Sequence, residues 1–349
     1  MKVILINDQL NAGGAEKLLV TIANLLFEKN VDVEVILLLE KAIIDNQINP
    51  KIPIKYLNRK GRFDFKSWVT LKSWVKTAEI VHIHSRYNLR YYMLVKMILG
   101  ISKPKVVFHE HMPRFELDLF TKFLFTKIQA YIAVYSKMKE WVVNKKILNS
   151  SIAWYLPNFV QKPKVDIKAN NQSNKILMIG NFWHLKNHQF AIELINELPE
   201  FELDIYGMIY ETDYYNQLKK QIENNNLQSR VRLIEGVQNV YEIMHKYSFA
   251  LHTSTSETGP LVLIEYMHCQ MPFLSFNTGD VVQTISNYLP DLVIHNFEKN
   301  IWLEKIQSLM LNQSKREIIL QTFPDILKSH FSEMAYYNEL HKIYQQVLA

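Results

Sequence analysis

Short apolar runs alternate with longer amphipathic stretches along most of the chain, and this rhythm limits the fold more than any other feature. Lys2–Ile6 reads as a strand, followed by a Gly-containing turn and a helix from about Ala15 to Glu28. Val31–Leu38, Ile80–Ile83, Val106–Phe108 and Tyr131–Tyr135 read as further strands. Phe65–Val75 and Arg114–Gln129 carry helical spacing between them. Such β-α alternation predicts a parallel sheet with helices on both faces.

The rhythm breaks once and restarts. Pro157, Pro163 and the polar run from Lys168 to Lys175 read as a linker. Beyond it, strands are expected at Ile176–Ile179, Leu203–Tyr206, Val231–Ile234, Phe249–His252 and Phe273–Phe276. Helices are expected at His188–Leu198, Asp213–Asn224, from Val262 to His268, and at Glu333–Leu348. The expectation is an α/β chain of two doubly wound, Rossmann-like domains in tandem.

Composition removes several alternatives. No apolar run reaches the roughly 18–20 residues that span a bilayer; the best stretch, Tyr91 to Ile101, is short and interrupted by Lys96. The first residues read as a strand rather than a signal peptide. A single cysteine, Cys269, excludes an intramolecular disulfide and any multi-cysteine metal cluster, and a cytoplasmic location fits. The net charge of +6 is unevenly spread: residues 1–160 carry +11 and residues 161–349 carry −5. A basic first half suits an anionic partner, although a solvated lysine-rich surface reads the same way.

Only nine glycines occur, so their positions are informative. Gly13 and Gly14 follow the first strand; Gly180, Gly207, Gly236 and Gly259 also sit just past apolar runs. Ligands of open α/β sheets bind at the carboxyl ends of strands, where glycine lets backbone approach them. Gly61, Gly100 and Gly279 read as ordinary turns. The first turn, Asn11-Ala-Gly-Gly-Ala-Glu16, is neither a dinucleotide fingerprint nor a P-loop. Its free amides at a helix start still suit a phosphate.

The richest stretch is Ser256-Glu-Thr-Gly-Pro-Leu-Val-Leu-Ile-Glu265, after the Phe249–His252 strand. On spacing alone, Glu257 is either a helix cap or a ligand group, and Glu265 either a solvated helix residue or its partner across a crevice. This segment resembles the EX7E motif of retaining family-four glycosyltransferases, which have the GT-B fold. Other stretches resemble the same family in the same order. They are 11–20 for its GGAE loop, 78–85 and 106–111 for its two His-bearing strand ends, and 156–160 for its domain junction. Residues 179–187 match its phosphate-binding loop and 330–344 its closing helix.

The resemblance implies two Rossmann-like domains facing each other across a cleft: 1–160 for the acceptor and 161–329 for the nucleotide sugar. A terminal helix, 330–349, returns to the first domain. It implies that Glu265 binds the ribose and Glu257 the hydroxyls of the transferred sugar. Gly259, Pro260, Leu261 and Val262 line the diphosphate. Lys186 neutralises the leaving group, an oxyanion-stabilising role worth roughly 3–4 kcal/mol. Gly13 and Gly14 approach from the other domain, His109 lies beside the reacting sugar, and Gly180, Asn181 and Gly207 complete the donor site. Glu257, His109 and Lys186 are thus the candidate catalytic residues. Departures occur at Asn181, where the family usually has Arg, at Phe159 and at Gln270; Arg230 or Arg232 is the expected substitute for that Arg.

No D-x-D occurs, so no metal or other cofactor is expected and the implied chemistry is a metal-independent, retaining hexosyl or N-acetylhexosaminyl transfer. The donor is a nucleotide-diphosphate sugar, UDP-sugar ahead of GDP-sugar, and the acceptor a glycan or lipid-linked molecule of surface polysaccharide, capsule or lipopolysaccharide assembly. Two other readings stay open: a non-catalytic GT-B-like partner protein, and a zinc hydrolase built on the pairs His82/His84 and His109/His111. The latter needs a carboxylate, and Glu110 alternates to the opposite side of its strand. Lys66, Lys72 and Lys76 flank Trp68 and Trp74; Arg114, Lys122 and Lys127 mix with Phe115, Phe120, Phe123 and Phe125. These patterns suit peripheral contact of the basic domain with an anionic membrane, at its inner face, rather than nucleic acid.

Overall fold

A computed structural model describes residues 1–40, 42–163, 168–170, 173–236 and 239–349. Of the expected linker, residues 164–167, 171 and 172 lie outside the described residues. The chain divides into two compact units, Met1–Asn158 with Glu333–Ala349, and Phe159–Ser332.

The first unit is built on β1 (Lys2–Asn7), β2 (Asp32–Leu37), β3 (Ile54–Tyr56), β4 (Ile80–His84), β5 (Lys105–Glu110), β6 (Ala130–Ala133) and β7 (Ala153–Tyr155). All pairs are parallel, in the order β3-β2-β1-β4-β5-β6-β7. Helices cover both faces, so the central strands are buried throughout; Val3 to Ile6 have no exposure at all. Helix Glu333–Leu348 buries Tyr336, Leu340, Ile343 and Tyr344 in this unit, beside helix Gly14–Glu28.

The second unit is built on β8 (Lys175–Ile179), β9 (Glu202–Gly207), β10 (Val231–Glu235), β11 (Phe249–His252), β12 (Phe273–Phe276) and β13 (Val293–Ile294). It is again parallel, in the order β10-β9-β8-β11-β12-β13. In each sheet the winding reverses once, between β1 and β4 and between β8 and β11. The carboxyl ends of those strand pairs are where an open sheet leaves a ligand crevice.

Several elements escape the apolar pattern. Helix Arg86–Ile98 buries Arg86, Asn88, Tyr91 and Tyr92, so its inward face does not look apolar. The helix expected over 114–129 is only Leu119–Phe125, because the Asp118 carboxylate accepts the Thr121 amide at 3.0 Å and starts the helix there. Of the aromatics expected beside the basic residues, Trp68 and Phe125 are buried, Trp74 and Phe120 are half-buried, and Phe115 and Phe123 stay exposed. Among the described residues, no helix is long and apolar enough to cross a membrane.

Candidate active site

In the second unit, a loop leaves β8 through Gly180 and Asn181 and enters the turn His184–Lys186. The Asn181 side chain accepts the Met208 amide at 3.0 Å and so ties the ends of β8 and β9 together. Gly207, which ends β9, permits this closeness: a Cβ there would lie 2.1 Å from the Gly180 carbonyl oxygen. The Thr253 hydroxyl reaches the carbonyls of Lys186 and Asn187, each at 3.0 Å, and the Thr255 amide donates to Leu185 at 2.8 Å. These bonds fix the Lys186 stem beside Gly180.

Lys186 then donates to the Glu257 carboxylate. The His252 Nε2 lies 3.6 Å from the same oxygen, Oε1. Burial alone would raise the Glu257 carboxyl, but the Lys186 charge and the His252 imidazole outweigh it and hold the group well below the usual carboxylate range. Glu257 is therefore an anion, two residues before Gly259. It is not the helix cap; that position is Pro260. Helix Leu261–His268 begins there, with the amides of Leu261 and Val262 in its first turn. Glu265 lies one turn further on and is only 5% exposed, which excludes a solvated surface role.

The turn between β12 and helix Gly279–Tyr288 braces this loop. The Thr278 hydroxyl oxygen accepts the Glu257 amide at 2.9 Å, and the Asp280 amide donates to the Thr258 carbonyl at 3.0 Å. Gly279 is thus no ordinary turn residue. Its φ is +78°, and a Cβ would lie 2.8 Å from the Thr258 oxygen. Two site residues carried no signal in the sequence: Thr278, which reaches the loop from the end of the neighbouring strand β12, and His252, which ends β11 itself and turns back to Glu257.

The expected stand-ins for an arginine at 181 are elsewhere. The Arg230 guanidinium donates to the carbonyls of Ile195, Leu198 and Phe201, before β10 begins, at the amino end of the sheet. Arg232 pairs with Asp204 at 2.6 Å. Both are committed to holding the sheet edge, so Lys186 carries the positive charge beside Glu257.

In the first unit, Gly13 caps helix Gly14–Glu28 and Gly14 is its first, exposed residue. The Glu16 carboxylate folds back over Gly13, 2.4 Å from where a Cβ would sit. Burial pushes that carboxyl up to about 7. At the ends of β4 and β5, His82, His84, His109 and His111 form one stack. His82 Nδ1 meets the Tyr344 hydroxyl at 2.7 Å and its Nε2 meets His109 Nδ1 at 3.2 Å; His84 Nδ1 meets His111 Nε2 at 2.9 Å. The Nε2 atoms of His84 and His109 are buried without a hydrogen-bond partner among the described residues.

Ring nitrogens of His82, His84 and His109 lie within 4.8 Å of one another, a spacing that suits a metal. The donor set fits one poorly. Both His82 nitrogens are already engaged, and the neighbouring carboxylate, Glu110, is bound by Arg86, whose other nitrogens donate to the carbonyls of Glu116 and Arg114. Burial keeps these imidazoles neutral.

Two family models match the chain in succession: one described as Glycosyltransferase Family 4 over residues 12–161, and one described as Glycosyl transferases group 1 over residues 160–322. A curated relative is the phosphatidylinositol N-acetylglucosaminyltransferase GPI3 subunit of Saccharomyces cerevisiae. It is 22% identical over 177 residues, which are 47% of this chain and 39% of that protein. The match thus spans well under half of the yeast protein. The structure is similar to HepE from Anabaena, solved with UDP and glucose, at a TM-score of 0.81 and 14% identity, covering 98% of each chain. It is also similar to a TarM mutant of S. aureus, solved in a complex containing UDP, at a TM-score of 0.78 and 11% identity over 99% and 100% of the two chains. These likenesses identify the fold as GT-B.

Proposed function

The chain belongs to the group 1, family-four glycosyl transferases, and we propose that it moves a hexosyl or N-acetylhexosaminyl group from a nucleotide-diphosphate sugar to a glycan or lipid-linked acceptor, with retention. The observation that carries this reading is the anionic Glu257, held by Lys186 at the start of helix Leu261–His268. A cation, a helix N-terminus and two carboxylates are what a sugar diphosphate requires. The helix amides and Lys186 meet the diphosphate, Glu265 the ribose and Glu257 the sugar hydroxyls.

In this reading the bond between the sugar C1 and the diphosphate oxygen breaks, and the acceptor oxygen bonds to C1 from the same face. The departing phosphate oxygen takes the acceptor proton, so the protein need not supply a general base. Lys186 offsets the charge that develops on the diphosphate, and no metal is required. UDP is favoured as the nucleotide because HepE and TarM were solved with it. Assembly of a surface polysaccharide is the favoured pathway.

We place the chain at the inner face of a membrane. Phe65 and Phe123 are exposed beside Lys66 and Lys122, and Leu119 is 87% exposed, a mixture that suits an anionic lipid surface. Calorimetric titration with UDP and GDP, on the wild type and on Glu265→Ala, tests the donor site. One nucleotide binding to the wild type, and not to the variant, is expected. Binding of neither by folded wild-type protein favours a non-catalytic partner protein instead.

A further inference from the structure

His252 is 3% exposed at the end of β11, and nothing in the transfer step above uses it. The Ser275 hydroxyl lies 3.0 Å from the Phe276 carbonyl oxygen and 2.9 Å from His252 Nδ1, and it has one proton to donate. His252 Nε2 is buried without a hydrogen-bond partner among the described residues and lies 3.6 Å from the Glu257 carboxylate. A bare lone pair at Nε2 would face that carboxylate, whereas a Ser275 hydroxyl that donates to Nδ1 leaves the ring proton at Nε2. Two electron-rich groups facing each other in a site largely shielded from water repel, unless a proton lies between them.

A second point concerns Lys186. In the structure it is bound to Glu257, yet in the reading above it serves the diphosphate. Once Lys186 turns away, Glu257 needs another partner or its largely shielded charge is uncompensated. We propose that His252 is a positioning residue that shares a proton with Glu257 through Nε2 and holds the carboxylate on the sugar while Lys186 is drawn to the diphosphate. Ser275 fixes the ring, and the charged groups facing it are Glu257 and Lys186. Burial lowers the imidazole on balance, against the upward pull of Glu257, so a second ring proton is disfavoured and the single proton at Nε2 is the one shared with the carboxylate.

The proposal rests on the donor-site reading for its purpose, though not for its chemistry, and two measurements separate them. Long-range 15N–1H spectra of the full chain, with His252→Asn to assign the signal, report the ring nitrogens directly. A proton on Nε2 in the wild type, with a smaller share of that form in Glu257→Gln, is the expected result. A bare Nε2 in the wild type overturns the proposal, whatever the protein's activity. In transfer assays, His252→Leu is expected to lower kcat about tenfold while UDP affinity stays within about twofold. His252→Gln, which keeps an N–H donor, is expected to regain most of that loss. Equal losses in both variants, or a wild-type kcat in His252→Leu, overturn it. If wild-type protein binds neither UDP nor GDP, the donor-site reading fails while the spectra still decide the proton.

Discussion

The Tyr344 hydroxyl lies 2.7 Å from His82 Nδ1, joining residues 262 positions apart in the chain. It is the outer link of a buried row that continues from His82 to His109. Tyr344→Phe removes the partner of a fully buried nitrogen. A loss of about 1–3 kcal/mol in urea denaturation is expected; an unchanged midpoint would show that the link stabilises nothing.

The imidazole stack makes the fold acid-sensitive. Burial pushes His82 down to about 3 and holds His84 and His109 well below an ordinary histidine. The unfolded chain takes up these protons near pH 6.5 and the folded one does not. Stability is thus fully present above pH 6.5 and is lost as pH falls towards the folded values, by at most about 1.4 kcal/mol per pH unit per ring. Denaturation midpoints measured from pH 7.5 to pH 5 should fall steadily, and His82→Gln should flatten the slope.

Lys186 and Glu257 are expected to fail differently. Lys186→Ala removes the cation facing the diphosphate and should weaken nucleotide binding as well as transfer, the latter about 100- to 1000-fold. Glu257→Gln should cost transfer a similar factor and leave UDP affinity within about twofold, because UDP carries no transferred sugar. Calorimetry beside initial rates separates the two, and identical binding defects would refute the division of roles.

Gly207→Ala places a methyl group against the Gly180 backbone, where no flexible side chain can yield. The second unit is expected to lose about 3 kcal/mol or more. Gly279→Ala forces a side chain into a left-handed turn against Thr258 and should displace the Glu257 loop. Its expected signature is a fall in kcat out of proportion to the change in melting temperature.

Chelation should leave transfer unchanged. In the proposed mechanism positive charge comes from Lys186 and helix amides. Full activity after dialysis against EDTA is the expected outcome; loss restored by added magnesium or zinc would overturn the metal-independent reading.

Much of this was legible in the residues, because a parallel sheet buried on both faces leaves unbroken apolar runs such as Val3–Ile6. The loop before helix Leu261–His268 was marked by the resemblance of residues 256–265 to the EX7E motif, because the spacing of Glu257 and Glu265 alone also left a helix cap and a solvated helix residue open. What was hidden depended on tertiary neighbours. Arg86 and Asn88 face inward only because Glu110 and Asn7 await them there. Gly279 matters because of where Thr258 happens to pass. Arg230 and Arg232 looked available by composition, but the sheet edge had already claimed them.

The first unit is made of two stretches with residues 159–332 between them. A ribosome therefore releases the whole of the second unit before helix Glu333–Leu348 emerges. The sheet that is synthesised first waits for the helix that follows the second. A chain arrested within that interval displays the surface which Leu340, Ile343 and Tyr344 would cover, so the interrupted unit offers chaperones a timed, apolar target.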